Sequence, residues 1–229
     1  MKHFTLSLLI ISGLFYQCKN NGSAENKEGS AETQTTSELG IHGFWVGNHP
    51  TNNGELIGLE CLASTKNAIF YNYFTQGKVC RWALNNNSSI EILSEENNLL
   101  MSATNLLGDS IMQMNTLQNM MVGFKKTLIA KKESFEFSGI LNGLDYEDQH
   151  IVLENPAYLF VHSGINDSII QFNVFSQGGK KLTSTGAANF GAKLQKGDYF
   201  IRAFQRRDLK EARDKAAFRI EFVLLHTTK

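Results

Sequence analysis

The sequence predicts an all-β protein in which a small antiparallel barrel is followed by an antiparallel β-sandwich. Apolar residues recur in short runs that alternate with polar ones, which is the period of a strand, and long helical patterns are absent. The runs are joined by segments rich in glycine and asparagine, and the chain has 19 glycines but only 2 prolines. Turns of this composition connect short antiparallel strands, so both observations indicate the same fold class.

The composition sets the outer limits of what the chain can be. It has 229 residues, of which 42% are hydrophobic, and this ordinary fraction is enough to bury a core in one or two domains. The 22 basic side chains are balanced by 22 acidic ones. A nucleic-acid-binding protein carries a basic excess or a basic stripe, so we expect no nucleic-acid partner.

Residues 1–17 are predicted to be a signal peptide. Lys2 supplies a positive charge, and residues 4–15 form an uncharged apolar run that is too short to span a bilayer. A buried N-terminal helix or strand is the alternative, but a strongly polar segment follows at once. The chain is therefore predicted to be exported, to the periplasm or the cell surface.

Cys18 lies directly behind this run, where a bacterial lipoprotein is cleaved and acylated. The preceding residues 15–17 are larger than the small residues usual at such a site. The segment behind the cysteine favours lipidation, because residues 19–39 have no aromatic side chain and form a disordered tether between a membrane and a domain. We therefore predict a lipid anchor at Cys18, in the outer membrane, with a tether over residues 18–39. Secretion without a lipid is the alternative.

Residues 40–128 are predicted to form the barrel. Short β-prone runs occur at 41–47, 68–74, 79–84 and 89–93, and strands this short at this spacing indicate a small antiparallel barrel or sandwich. The opening Gly-x-Trp-x-Gly pattern at 43–47 resembles the first strand of lipocalin-like barrels.

Residues 129–229 are predicted to form the sandwich. Alternating runs occur at 134–139 and 169–175 and in the two final strands, 199–204 and 218–224. In the last of these, every second side chain is a large apolar one, so one face is expected to be buried. We expect these two final strands to pair as a terminal hairpin.

The cysteines suggest a covalent link within the barrel. If Cys18 is acylated, Cys61 and Cys80 form an even pair in an oxidising compartment, which predicts a disulfide. Its loop of about 20 residues corresponds to roughly 3 kcal/mol in the chain-entropy model. A metal site with His42 or His49 is the alternative, but no tight ligand spacing supports it, so we expect no metal or other cofactor.

Two further groups of residues could be read either as chemical sites or as ordinary structural residues. Met112, Met114, Met120 and Met121 are a copper-binding thioether set or, more often, core filling. The residues of a hydrolytic triad are present, but no Gly-x-Ser-x-Gly elbow surrounds them, so the chain is not predicted to be an enzyme. These three residues are His150, Asp167 and Ser163.

Two stretches of the second half carry a family resemblance. Residues 138–146 (SGILNGLDY) resemble the periplasmic inhibitors of g-type lysozyme and, less closely, those of i-type lysozyme. The match resumes at residues 197–205 (GDYFIRAFQ), followed by Arg207, Ala212 and Arg213. The stretch between Arg207 and Ala212 is about two residues longer than the usual loop of the family, which leaves the preferred class of lysozyme open.

The resemblance implies a protein that occludes the glycan cleft of a lysozyme, its protein partner. Lysozymes act through carboxyl groups in that cleft, and arginine binds carboxylates through paired hydrogen bonds. The implied contact residues are Ser138, Gly139, Asp145, Tyr146, Arg202, Gln205, Arg207 and Arg213.

Two alternatives remain open. The charged segment after residue 205 is a solvated turn in the simpler interpretation, with Arg202 pairing with Glu221 across the terminal hairpin. The rival function is a binding module of the jelly-roll type, similar to pre-peptidase C-terminal domains. In that case the sandwich holds a carbohydrate or cell-wall polymer and the barrel an apolar ligand.

Overall fold

The computed structural model describes residues 40–73, 79–84, 89–107, 110–116, 119–164, 169–183, 187–206 and 215–228. The predicted signal peptide, Cys18 and the tether lie outside these ranges, as do Asp167, Arg207 and Arg213. Within the described ranges, no helix is long and apolar enough to cross a membrane.

The first eight strands close into an antiparallel barrel. The chain runs through them in order, and β1 pairs with both β2 and β8, which completes the ring. The strands are β1 (Gly43–Asn48), β2 (Leu56–Cys61), β3 (Asn67–Tyr71), β4 (Val79–Leu84), β5 (Ile90–Leu93), β6 (Leu99–Leu107), β7 (Ile111–Thr116) and β8 (Met121–Thr127).

The following seven strands form two antiparallel sheets. The strands are β9 (Ile129–Asn142), β10 (Tyr146–Leu153), β11 (Ala157–Ser163), β12 (Ile170–Ser176), β13 (Asn189–Leu194), β14 (Gly197–Gln205) and β15 (Lys215–Thr227). One sheet has the order β10-β14-β12 and the other β13-β11-β15-β9. A single buried cluster draws side chains from both sheets, as in a sandwich. The predicted all-β class, a barrel followed by antiparallel sheets, is confirmed.

The barrel interior is filled with side chains. Alternate residues of β7 and β8 are buried, and both tryptophans, Trp45 and Trp82, are at most 2% exposed. An eight-stranded barrel is just wide enough for such a packed core. Met112 and Met114 belong to this core, whereas Met121 is exposed, so the four methionines do not form one thioether cluster.

The predicted disulfide between Cys61 and Cys80 is wrong, because both side chains are thiols. Ala68 of β3 is the register partner of Cys61 on one side and of Cys80 on the other. One strand thus separates the cysteines, which places their Cα atoms roughly 10 Å apart at the usual strand spacing. A disulfide requires Cα atoms within about 7 Å. Both thiols are buried in the barrel core instead.

The final strands alternate as predicted but do not pair with each other. Ile201 and Ala203 of β14 face the sandwich core, and so do Phe218 and Ile220 of β15. However, β14 lies between β10 and β12, whereas β15 lies between β11 and β9. The expected terminal hairpin is therefore wrong. Each strand buries one face, and the two strands satisfy this requirement from opposite sheets.

The barrel packs on the outer face of the four-stranded sheet. Phe160 of β11 is fully buried between Phe44 and Tyr71 of the barrel, at ring-centroid distances of 6.0 and 5.5 Å. Beside this contact, Lys132 of β9 donates hydrogen bonds to the Glu60 carboxylate, at 2.6 Å, and to the Tyr71 hydroxyl, at 2.9 Å. The outer face of the three-stranded sheet contributes no side chain to this contact.

Candidate functional site

Four of the predicted contact residues lie in the β9–β10 turn or at the strand ends next to it. Ser138 and Gly139 lie near the end of β9, Asp145 is in the turn, and Tyr146 opens β10. The turn is closed by a hydrogen bond of 3.0 Å from the Asp145 amide to the Asn142 carbonyl. Gly143 has a φ of 54°, the left-handed conformation that favours glycine. This turn and its flanking strand ends, residues 138–147, are the first part of the candidate site.

Gly139 is required by its surroundings. A Cβ atom at this position would lie 2.8 Å from the Phe218 ring and 3.1 Å from the Glu147 carboxylate. Phe218 is the register partner of Gly139 and is buried in the sandwich core. The glycine therefore lets an aromatic side chain close the core and leaves room for a carboxylate beside it.

The second stretch predicted to matter, residues 197–205, is β14, and it pairs directly with β10. Tyr146 is the register partner of Phe204, and Asp148 is the register partner of Arg202. The two stretches that resemble lysozyme inhibitors are thus adjacent strands. We call the end of the sandwich formed by residues 138–147 and 202–206 the turn end.

Arg202 is held in place on the outer face of the three-stranded sheet. Its Nε and Nη2 atoms each donate a hydrogen bond of 2.8 Å to the two carboxylate oxygens of Asp148. The guanidinium carbon lies 3.7 Å from the centroid of the Tyr146 ring. The hydrogen bonds to Asp148 raise the pKa of Arg202, so the guanidinium stays protonated. The expected pairing with Glu221 is wrong, since Glu221 lies on the other sheet and binds Arg219 at 2.7 Å.

The outer face around Arg202 is aromatic. Phe175 and Phe200 stack at 4.9 Å with an interplanar angle of 17°, and the Arg202 guanidinium lies within 5.5 Å of both rings. Phe204 points outward beside Tyr146. Outward positions of a solvated sheet are ordinarily polar. The alternation of residues 199–204 places Phe200, Arg202 and Phe204 on one face, and the two phenylalanines were the available signal in the sequence.

Two further contact residues need separate comment. Gln205 is 2% exposed and faces the sandwich interior, so its side chain supports β14 from within. Arg207 and Arg213 lie outside the described residues. The segment that contains them leaves the described chain at Arg206, whose amide bonds to the Ile169 carbonyl, and returns at Lys215, which is paired with Asn142. Both flanking residues lie at the turn end.

The described residues of the hydrolytic triad are not brought together. His150 lies on the outer face of the three-stranded sheet, whereas Ser163 is buried in β11 of the other sheet. His42 packs against Trp82, and His49 accepts hydrogen bonds from the amides of residues 51 and 52. In the part of the chain that the structure covers, no three His, Cys, Asp or Glu side chains are grouped to hold a metal ion.

No protein-family model matches this chain, and no curated protein matches it. Among solved structures, it is similar to PliG of Aeromonas hydrophila, a periplasmic inhibitor of g-type lysozyme. The identity is 21% and the TM-score 0.32, over 40% of this chain and 84% of the inhibitor. PliG of Salmonella Typhimurium matches at 14% identity and a TM-score of 0.32, over 40% and 86% of the two chains. A mutant PliG of Escherichia coli matches at 17% and 0.31, over 42% and 90%. Each of these matches covers less than half of this chain but most of the inhibitor.

Proposed function

We propose that this chain is an exported inhibitor of lysozyme, with the g-type enzymes as its target, and that the turn end of the sandwich contacts the enzyme. The proposed mode of action is steric: the turn end covers the glycan cleft and keeps substrate away from its carboxyl groups. The chain itself supplies no chemistry in this mechanism, and its contribution is a surface that fits the enzyme.

One observation carries the proposal. Residues 138–146 and 197–205 are separated by 50 positions in the sequence, yet Tyr146 and Phe204 are partners in adjacent strands. In the sequence, these two stretches are linked only by their resemblance to one family. In the structure, they contribute to one continuous surface. A chance match of two separate turns would not predict this adjacency, and adjacent stretches can contact one partner together.

The chemistry of the turn end suits a protein partner. Binding hot spots are enriched in tyrosine and arginine that are rigid before binding. Tyr146 is 54% exposed, and the Arg202 guanidinium, fixed by Asp148, covers one face of its ring. Holding the ring in one orientation lowers the entropy lost on binding.

The same geometry gives Arg202 a different role from Arg207 and Arg213. Arg202 already directs its Nε and Nη2 donors at Asp148, so in our proposal it orients Tyr146 and another arginine binds the enzyme carboxylate. In our proposal, that contact falls to Arg207 and Arg213. The described ends of the segment that holds them lie at the turn end, next to Asn142 and Ile169.

The proposed location is the periplasm or the cell surface. It rests on the apolar run at residues 4–15 behind Lys2, and on Cys18 for attachment of a lipid in the outer membrane. Secretion without a lipid serves the same function at a greater distance from the cell.

A glycan-binding module is the second candidate, because aromatic side chains line the outer face of the three-stranded sheet. Carbohydrate rings stack on free aromatic faces. Here Phe175 and Phe200 stack on each other, and Arg202 covers one face of Tyr146. The aromatic groups are thus largely engaged among themselves, which favours a protein partner over a sugar.

The test is inhibition of cell-wall lysis by the full chain from residue 19, measured by turbidity with c-, g- and i-type lysozymes. We expect inhibition of the g-type enzyme, and we expect Tyr146→Ala to weaken it by about tenfold or more. Val152→Ala is the matched control, since Val152 is exposed on the same strand but roughly 20 Å from Tyr146. Binding of cell-wall glycan without inhibition of any lysozyme would instead establish the second candidate.

A further inference from the structure

A cleft opens at the turn end, between the last residues of β9 and the first residues of β10. Its volume is about 480 Å³, and residues 140–142 and 144–147 line it. Among the described residues, the cleft is lined only by the β9–β10 turn and the two strand ends that the turn joins. It is therefore a local feature whose shape depends on a short, continuous piece of chain.

Three large apolar side chains on the lining of the cleft are exposed. Ile140, Leu144 and Tyr146 are 57%, 62% and 54% exposed, although each is a large apolar side chain. Single exposed apolar residues are ordinary on a protein surface, but three around one cleft are typical of a binding site. The barrel does not shield them, since its contact with the sandwich involves other residues.

The polar part of the lining has one sign of charge. Asp145 and Glu147 contribute carboxylates and Asn142 an amide, and none of the lining residues is basic. Within the described part of the chain, neither carboxylate has an ion-pair partner, in contrast to the neighbouring Asp148, which is bound by Arg202. The absence of a side chain at Gly139 gives the Glu147 carboxylate room beside it.

We propose that this cleft binds a lysine or arginine side chain of the lysozyme. The apolar stem of such a side chain packs against Leu144, Ile140 and Tyr146, and its charged head bonds to the carboxylates of Glu147 and Asp145. The inference rests on the proposed function and adds a second anchor to it. This anchor has the opposite sign from Arg207 and Arg213, which are proposed to bind enzyme carboxylates.

Two anchors of opposite charge also fix how the partners meet. Charge complementarity across an interface selects one orientation and raises the association rate. A lysozyme with an acidic cleft and a basic side chain at its rim would match the turn end in only one orientation. A partner with carboxylates alone would be repelled by Asp145 and Glu147.

The experiment compares full chains that carry Asp145→Asn and Glu147→Gln, alone and together, with the wild type. The Kd for the inhibited lysozyme is measured at low and at physiological salt. We expect the double variant to bind about tenfold more weakly at low salt and to show a flatter salt dependence. Glu154→Gln removes the same charge from an exposed position just beyond β10 and should leave both quantities unchanged.

A second variant keeps the test informative if the carboxylates also affect folding. Leu144→Lys places a cation in the cleft from an exposed turn position, and it should lower affinity by at least the same factor while the melting temperature is unchanged. If the wild type inhibits but these variants bind as the wild type does, the cleft inference is wrong and the inhibitor proposal stands. If the wild type binds no lysozyme, the proposed function is wrong, and the cleft inference with it.

Discussion

Arg202 and Asp148 form a bidentate ion pair on the outer face of the three-stranded sheet, with both N–O distances at 2.8 Å. The pair joins β14 to β10 at a point where the side chains are only 30% and 23% exposed. Tyr146 stacks on the guanidinium from one side, and the Phe175–Phe200 stack lies on the other. Strand pairing, charge and aromatic packing therefore meet in one residue, and this arrangement holds Tyr146 in position at the turn end.

Removal of the carboxylate should measure the strength of this arrangement. In Asp148→Ala the guanidinium loses its partner while it stays among the aromatic rings, so we expect the free energy of unfolding to fall by about 1 to 2 kcal/mol. Urea denaturation measures the change. Glu136→Ala is the control, because Glu136 and its partner Arg219 are about half exposed and should contribute less than roughly 0.5 kcal/mol. Equal losses in the two variants would contradict the role given to the Arg202 pair.

Arg207 and Arg213 should separate inhibition from stability. We expect alanine at both positions to weaken lysozyme inhibition by about 30-fold or more, because a desolvated enzyme carboxylate would lose its partner. The melting temperature should stay close to that of the wild type, as for solvated charges. Lys131→Ala removes an exposed charge at the opposite end of β9 and serves as the control for net charge. Full inhibition by the double variant would exclude the two arginines from the contact.

Arg202→Ala should differ from these variants in a diagnostic way. Because Arg202 orients Tyr146 and binds Asp148, its loss should lower stability by about 1 to 2 kcal/mol and also weaken inhibition. In a double-mutant cycle with Tyr146→Ala, the two effects on Kd should be less than additive, since both remove the same oriented ring. Strictly additive effects would mean that Arg202 contacts the enzyme on its own.

The buried cysteines predict a specific pattern of reactivity. In a chain that starts at residue 19, a thiol-specific aromatic disulfide reagent should label Cys61 and Cys80 only after unfolding. Reductant should leave the melting temperature unchanged. Burial raises the pKa of the Cys61 thiol to about 12, and the negative charge of Glu60 contributes to this increase. A pKa raised in the folded state stabilises the fold below the unfolded pKa, and this contribution is lost as the pH rises towards 12. Stability should therefore decline from about pH 9 upward, and less steeply in Cys61→Ala. If reductant lowered the melting temperature, the prediction of a disulfide between Cys61 and Cys80 would be correct after all.

Cys18 should determine where the protein is found. If the residue carries acyl chains, the native protein partitions into detergent and Cys18→Ser abolishes this partitioning, because several buried acyl chains are needed for a stable anchor. Phase separation followed by mass spectrometry of the mature N-terminus checks both points. A wild-type protein that stays in the aqueous phase, with an N-terminus beyond residue 18, would establish secretion instead.

The fold class was predictable because strand alternation is local. A residue in a strand faces the side opposite to its neighbours, so the buried face of residues 218–224 can be read from the sequence without knowing which strand lies beside it. The same rule placed Phe200, Arg202 and Phe204 on one face. The Asn-Gly step at residues 142–143 likewise indicates a turn, because glycine adopts the left-handed backbone conformation at little cost.

Which strands lie next to each other was decided only by the tertiary structure. Alternation is equally satisfied whether β14 and β15 form a hairpin or lie in opposite sheets. In the structure they lie in opposite sheets, with both inner faces in one core. That choice gave Arg202 the partner Asp148 instead of Glu221. In the barrel, the insertion of β3 between β2 and β4 separates Cys61 from Cys80. Each of these relationships depends on contacts between residues far apart in the chain, and the period of a single strand contains no information about them.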